Sequence, residues 1–106
     1  MSDTLSRLEA TIRERRNADP ASSYVAKVVA KGRAKIAQKL GEEAVEAVIA
    51  AISDDREEMV KESADLLFHL LVLLSDMDLG LNDVIAELER REGLSGIAEK
   101  ALRQHD

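Results

Sequence analysis

The chain has no cysteine. This excludes disulfides and thiolate metal sites, and it fits a reducing compartment. Tyr24 and Phe68 are the only aromatic residues, so there is no base-stacking platform. There is no arginine-rich block either, and the formal net charge is −6, which argues against nucleic acid as a partner. The longest apolar stretch, Leu66 to Leu74, is interrupted by His69. It falls well short of the roughly 20 residues that a membrane-spanning helix needs. The opening Met1-Ser2-Asp3-Thr4-Leu5 has no basic segment followed by an apolar run, so no signal peptide is expected. The expected setting is the cytoplasm, with no membrane partner. The sequence shows no strand alternation, long linker or solenoid repeat, and no Walker-type glycine loop or Rossmann fingerprint.

What remains is helical. With 106 residues, the chain is expected to form one domain spanning residues 1–106. Leu5, Leu8 and Ile12 recur at helical spacing behind Ser2 or Asp3 as N-caps. Asn17-Ala18-Asp19-Pro20 ends that pattern. Residues 22–31 are ambiguous: a short helix would have Val25, Val28 and Val29 on its apolar face, and Gly32 would follow as a hinge. A strong helical pattern runs from Arg33 to Ile52, and Ser53-Asp54-Asp55 supplies cap residues, with Asp54 and Glu57 or Asp55 and Glu58 resembling a capping box. The next helix is predicted from Arg56 to Asp78, with Gly80 as its C-terminal signal. Asn82 would cap a further element ending near Gly93, and Ser95 a last short helix to Arg103. The expected fold is an all-α antiparallel bundle of about four to five helices. A lone chain of this size buries only a modest core, so a homodimer is expected.

The informative residues are carboxylates on the two long helices. On a helical wheel with Glu42 at zero, Lys35, Glu46, Lys39 and Glu43 fall at about 20°, 40°, 60° and 100°. They form one polar stripe flanked by apolar residues. On the next helix Glu58, Glu62, Asp65 and His69 share an arc of roughly 60°, and leucines occupy most of the rest. A helix apolar almost all round is normally buried, and buried carboxylates are costly unless a cation meets them. Oxygen ligands favour Mg²⁺, with Mn²⁺ as a possible substitute. A di-iron site would need Glu-x-x-His on two helices, which is absent. If the helices pack antiparallel, Glu43 and Glu46 meet Glu62 and Asp65. The alternative is a solvated acidic face. His69, one turn after Asp65, is either a ligand or a buried residue supporting the ligands. Lys35 and Lys39 either pair with the glutamates or bind phosphate oxygens.

Glu-Glu-x-x-Glu followed by Glu-x-x-Asp, filled by Glu42, Glu43, Glu46, Glu62 and Asp65, resembles the MazG-like all-α nucleotide pyrophosphohydrolases. The surrounding residues narrow the likeness. Ser23-Tyr24 after Pro20, Gly32-x-x-Lys35-Ile36-x-x-Lys39-x-Gly41-Glu42-Glu43-Ala44-x-Glu46, Ala64-Asp65-Leu66-Leu67-x-His69-Leu70 and Ser95-Gly96-x-x-Glu99-Lys100-x-x-Arg103 are similar to the phosphoribosyl-ATP pyrophosphohydrolase family. The resemblance implies Mg²⁺-dependent hydrolysis of 1-(5-phosphoribosyl)-ATP to the AMP compound and pyrophosphate, the second step of L-histidine biosynthesis. It also implies a cytoplasmic, usually dimeric enzyme, here in the form not fused to a cyclohydrolase. On this reading Glu43, Glu46, Glu62 and Asp65 hold the metal, and Glu42 orients water or accepts its proton. Lys35 and Lys39 stabilise the departing pyrophosphate, Tyr24 contributes to the substrate pocket, and His69 supports the ligands. Two alternatives remain: a house-cleaning nucleoside triphosphate pyrophosphohydrolase, and a non-catalytic helical dimer.

Overall fold

The computed structural model of the protein describes residues 3–92. Among them are five helices and no strand: α1 (Asp3–Arg15), α2 (Tyr24–Ala30), α3 (Arg33–Ile52), α4 (Arg56–Asp76) and α5 (Leu81–Arg91). The all-α expectation is met, and the ambiguous segment resolves into α2. Ser23 caps α2, its hydroxyl accepting from the Ala26 backbone N–H at 3.2 Å. Gly32 follows at φ 98°, a backbone angle that disfavours any residue with a Cβ, and α3 starts there in a new direction.

Both long helices end on an aspartate in the left-handed region, Asp54 at φ 54° and Asp78 at φ 58°. In each case the next residue's N–H returns to a carbonyl in the last turn: Asp55 to Ala50 at 2.9 Å, Leu79 to Leu74 at 2.8 Å. These are Schellman closures, with aspartate in the place usually taken by glycine. Asp55 also starts α4 by accepting from the Glu58 N–H at 3.1 Å, so α3 and α4 are joined by a very short turn. The expectations for the end of α4 need correction. The helix stops at Asp76, and Asp78 rather than Gly80 makes the left-handed turn. Gly80, at φ −122°, is instead the N-cap of α5, a role expected of Asn82; its N–H donates to the Asp83 carboxylate at 2.8 Å. The expected cap at Ser2 and the last helix from Ser95 lie outside the described residues.

The most extensive packing is between α3 and α4; α1 lies along α4, and α2 bridges the others. Ile12, Val25, Val28, Ile36, Leu71 and Val72 form the core, with Leu5, Leu8, Phe68 and Leu74 around it. This core lies at the start of α3 and the end of α4, away from their turn. Arginines fasten that end. Arg16 donates to the Ser75 carbonyl and to its hydroxyl at 3.1 Å, and Arg33 donates to the Asp76 carboxylate at 2.9 Å and its carbonyl at 3.2 Å. Both meet carbonyls at the C-terminus of α4, where positive charge is favoured. Toward the turn, by contrast, Val48, Ile49, Ile52 and Val60 are all more than half exposed. No described helix is long and apolar enough to cross a membrane.

Gly32→Ala forces a Cβ into the left-handed region although the surrounding space is open. It should destabilise by more than about 1 kcal/mol, lowering the melting temperature by at least roughly 4 °C. An unchanged melting temperature would show that the α2–α3 junction relaxes freely.

Candidate metal and phosphate site

Glu46 and Glu62 stand equally far along the chain from Asp54, and so do Glu43 and Asp65. Folding the chain back at Asp54 therefore brings each pair level on antiparallel helices. Ala47 and Ala50 are buried between the helices, and such small side chains let acidic ones lean into the seam. Glu43, Glu62 and Asp65 each bring a carboxylate oxygen to one place, all within 4.8 Å of one another. Glu46 is not one of this trio, but its carboxyl group contacts that of Glu62. It also borders a cavity of about 300 Å³ shared with Ile49, Ala50, Ser53, Asp55, Glu58 and Glu62.

Glu62 is the buried member, at 8 % exposure; Glu43 is half-buried, and Glu46 and Asp65 are exposed. The apolar composition of α4 thus does not bury it all round. Leu67 is 45 % exposed because no described helix covers that side. Glu62 is pushed up to about 8, first by its contact with the Glu46 carboxyl, then by burial, then by Glu43 and Glu58. No cation among the described residues offsets this. One oxygen each of Glu43 and Glu62, Oε2 in both, is buried without a hydrogen-bond partner. Buried acceptors are normally satisfied, and crowded carboxylates repel. The donor set is all carboxylate and two of its oxygens are orphaned, so these residues fit a hard divalent cation.

Glu42 is turned away from the trio. Its carboxylate accepts from Gln38 Nε2 at 2.9 Å and pairs with Lys39 at 3.5 Å. The Gln38 hydrogen bond is the main reason its carboxyl is held below the usual range, with Lys39 and Lys35 adding to it. Lys39 is raised in turn, first by Tyr24 and then by Glu42. His69 is buried and both its ring nitrogens are engaged. Nδ1 lies 2.7 Å from the Asp65 carbonyl, which can only accept, so Nδ1 carries the proton. In the neutral ring Nε2 then accepts from the Tyr24 hydroxyl at 3.1 Å. The geometry makes His69 a brace between Asp65 and Tyr24, outside the carboxylate cluster.

Lys35 and Lys39 open onto a second cavity of about 240 Å³, lined also by Tyr24, Lys27, Val28 and Lys31. Lys27 and Lys31 were not singled out from the sequence. Their four-residue spacing, repeated by Lys35 and Lys39, was the available signal, but it became meaningful only once α2 was a helix turned against α3.

The model of the family described as phosphoribosyl-ATP pyrophosphohydrolase matches residues 5–92. Among curated proteins, the chain is 64 % identical over 103 residues to the phosphoribosyl-ATP pyrophosphatase of Novosphingobium aromaticivorans, covering 97 % of this chain and 96 % of that one. It is 62 % identical to the protein of that name from Rhizorhabdus wittichii, covering 97 % of each. The counterpart from Erythrobacter litoralis is 63 % identical over 101 residues, covering 95 % of this chain and 97 % of its own.

The Glu62 shift gives a pH signature. A carboxyl whose folded value is raised contributes stability that is fully present below its unfolded value, 4.5, and is lost as pH rises to about 8. Metal-free protein should therefore melt lower above this window than below it. Glu62→Gln should flatten the dependence, and saturating Mg²⁺ should offset it at the alkaline end. Thermal melts in EDTA and in Mg²⁺ read this out; an equal slope in the variant would contradict it.

Proposed function

The chain belongs to the phosphoribosyl-ATP pyrophosphohydrolase family, and on that premise we propose that it hydrolyses 1-(5-phosphoribosyl)-ATP to 1-(5-phosphoribosyl)-AMP and pyrophosphate in the second step of L-histidine biosynthesis. The observation that carries this reading is the meeting of Glu43, Glu62 and Asp65 within 4.8 Å, two of them with orphaned oxygens. Glu43, Glu46, Glu62 and Asp65 would hold Mg²⁺, with Mn²⁺ as a substitute. When bound, the ion supplies positive charge for phosphate oxygens and acidifies water.

The protein's own groups do the rest. Lys39, one turn before Glu43 on α3, neutralises charge on the departing pyrophosphate, and Lys35 adds to the field. Glu42 holds Lys39 in place. Its lowered carboxyl stays ionised, which suits it to holding that ammonium rather than to taking a proton. His69 fixes the Tyr24 ring at the edge of the lysine-lined cavity and ties it to the backbone of Asp65. The protein acts in the cytoplasm as a homodimer. Val45, Val48, Ile49 and Ile52 form an exposed stripe on one face of α3, and a second copy would cover it.

Purified protein, weighed as a dimer by light scattering, should release pyrophosphate from phosphoribosyl-ATP with Mg²⁺ and stop in EDTA. Glu46→Gln should lower kcat/KM by about a hundredfold or more, a loss on the order of a single strong electrostatic contact in the transition state, with helicity unchanged. Equal loss of helicity and activity would contradict the role of Glu46. Turnover of ordinary nucleoside triphosphates but not phosphoribosyl-ATP would overturn the substrate, and a monomer mass would overturn the assembly.

A further inference from the structure

We propose that Lys27 and Lys31, which line one cavity with Lys35 and Lys39, hold the phosphomonoester at the far end of the substrate, on the ribose that ATP lacks. This rests on the substrate reading given above. The chain carries a net charge of −6, yet this cavity is lined by four lysines, Tyr24 and Val28 and by no carboxylate. Lys39 is paired with Glu42, but Lys27, Lys31 and Lys35 make no ion pair among the described residues. Gathering like charges costs free energy, and on an acidic protein it needs an anion to offset it.

The arrangement follows from the backbone. Lys27 lies on α2 and Lys31, four residues on, is its C-cap; Lys35 and Lys39 are one turn apart on α3. The left-handed Gly32 joins the two helices and turns both rows of ammonium groups onto one cavity. Along α3, Lys35 lies about 12 Å from Glu43, at roughly 1.5 Å per residue. The positive cavity and the carboxylate cluster are thus separate stations on one helix, with Lys39 between them. The substrate has matching chemistry: a triphosphate on one ribose, an adenine, and a second ribose with its own phosphate. A phosphomonoester is mostly a dianion at neutral pH, and ammonium groups meet it as point charges without needing planar geometry. Tyr24 lines the cavity and is held by His69, so it offers a fixed ring edge beside the sugar that carries this phosphate. The cavity would therefore distinguish phosphoribosyl-ATP from ATP.

Lys27 and Lys31 are exposed, so Lys27→Gln/Lys31→Gln should fold normally, which circular dichroism checks. In the double variant the KM for phosphoribosyl-ATP should rise about tenfold to a hundredfold, the loss of charge-assisted contacts to one phosphate, with kcat nearly unchanged. Inhibition by phosphoribosyl-AMP should weaken in parallel, inhibition by pyrophosphate should not, and Lys27→Arg/Lys31→Arg should restore most of the affinity. Weakened pyrophosphate inhibition would overturn the proposal by assigning the lysines to the triphosphate end, and an unchanged KM would leave them as solvated surface. Calorimetric binding of phosphoribosyl-AMP against AMP needs no turnover. Equal affinities in the natural chain overturn the cavity assignment, whereas a preference for phosphoribosyl-AMP without any hydrolysis of phosphoribosyl-ATP locates the failure in the catalytic reading instead.

Discussion

Carboxylates from α3 and α4 crowd and repel one another in the seam between the two helices. Glu62 is buried, and its nearest polar neighbours, Glu46, Glu43 and Glu58, are acidic as well. The contact with Glu46 and burial push the Glu62 carboxyl up to about 8, so without a cation a proton on Glu62 relieves the seam. A divalent ion would do the same work by another route, because ionised carboxylates become favourable beside it. A seam that takes up such an ion would trade stability of the metal-free fold for affinity, a compromise common at functional sites.

The remainder of the fold holds this unfavourable seam together. The apolar core and the arginine clamps on the last carbonyls of α4 secure one end of the hairpin. The paired aspartates Asp54 and Asp55 secure the other, one closing α3 and the next starting α4. Between these anchors the helices have little freedom to slide, so Glu43 stays level with Asp65 and Glu46 with Glu62. The exposed apolar stripe from Val45 to Ile52 lies alongside the same seam. A second copy covering that stripe would also lower the dielectric around the carboxylates and strengthen their need for a cation.

Much of this was legible in the sequence because it depends on periodicity. The bounds of α3, a cap at Asp54 or Asp55 and the convergence of Glu43, Glu62 and Asp65 follow from helical spacing and a short turn; the structure selects Asp55. Other features depend on contacts between elements and were not legible. Gly80 looked like a helix stop, but Asp78 took the left-handed position, a choice between two residues that both tolerate it. His69 was open between ligand and brace until Tyr24 and the Asp65 carbonyl were found on its two nitrogens. Glu42 belongs to the acidic motif, yet Gln38 and Lys39 draw it away from the cluster. Lys27 and Lys31 were not legible because a short segment between Pro20 and Gly32 gives no orientation until it packs.

The divalent-cation site proposed in the seam is built from Glu43, Glu62 and Asp65. It is tested most directly by titrating Mn²⁺ into the metal-free protein and reading free ion by electron paramagnetic resonance. Mn²⁺ should bind saturably, be displaced by Mg²⁺, and fail to bind Glu62→Gln while helicity is retained. Absence of saturable binding, or equal binding by the folded variant, would contradict it.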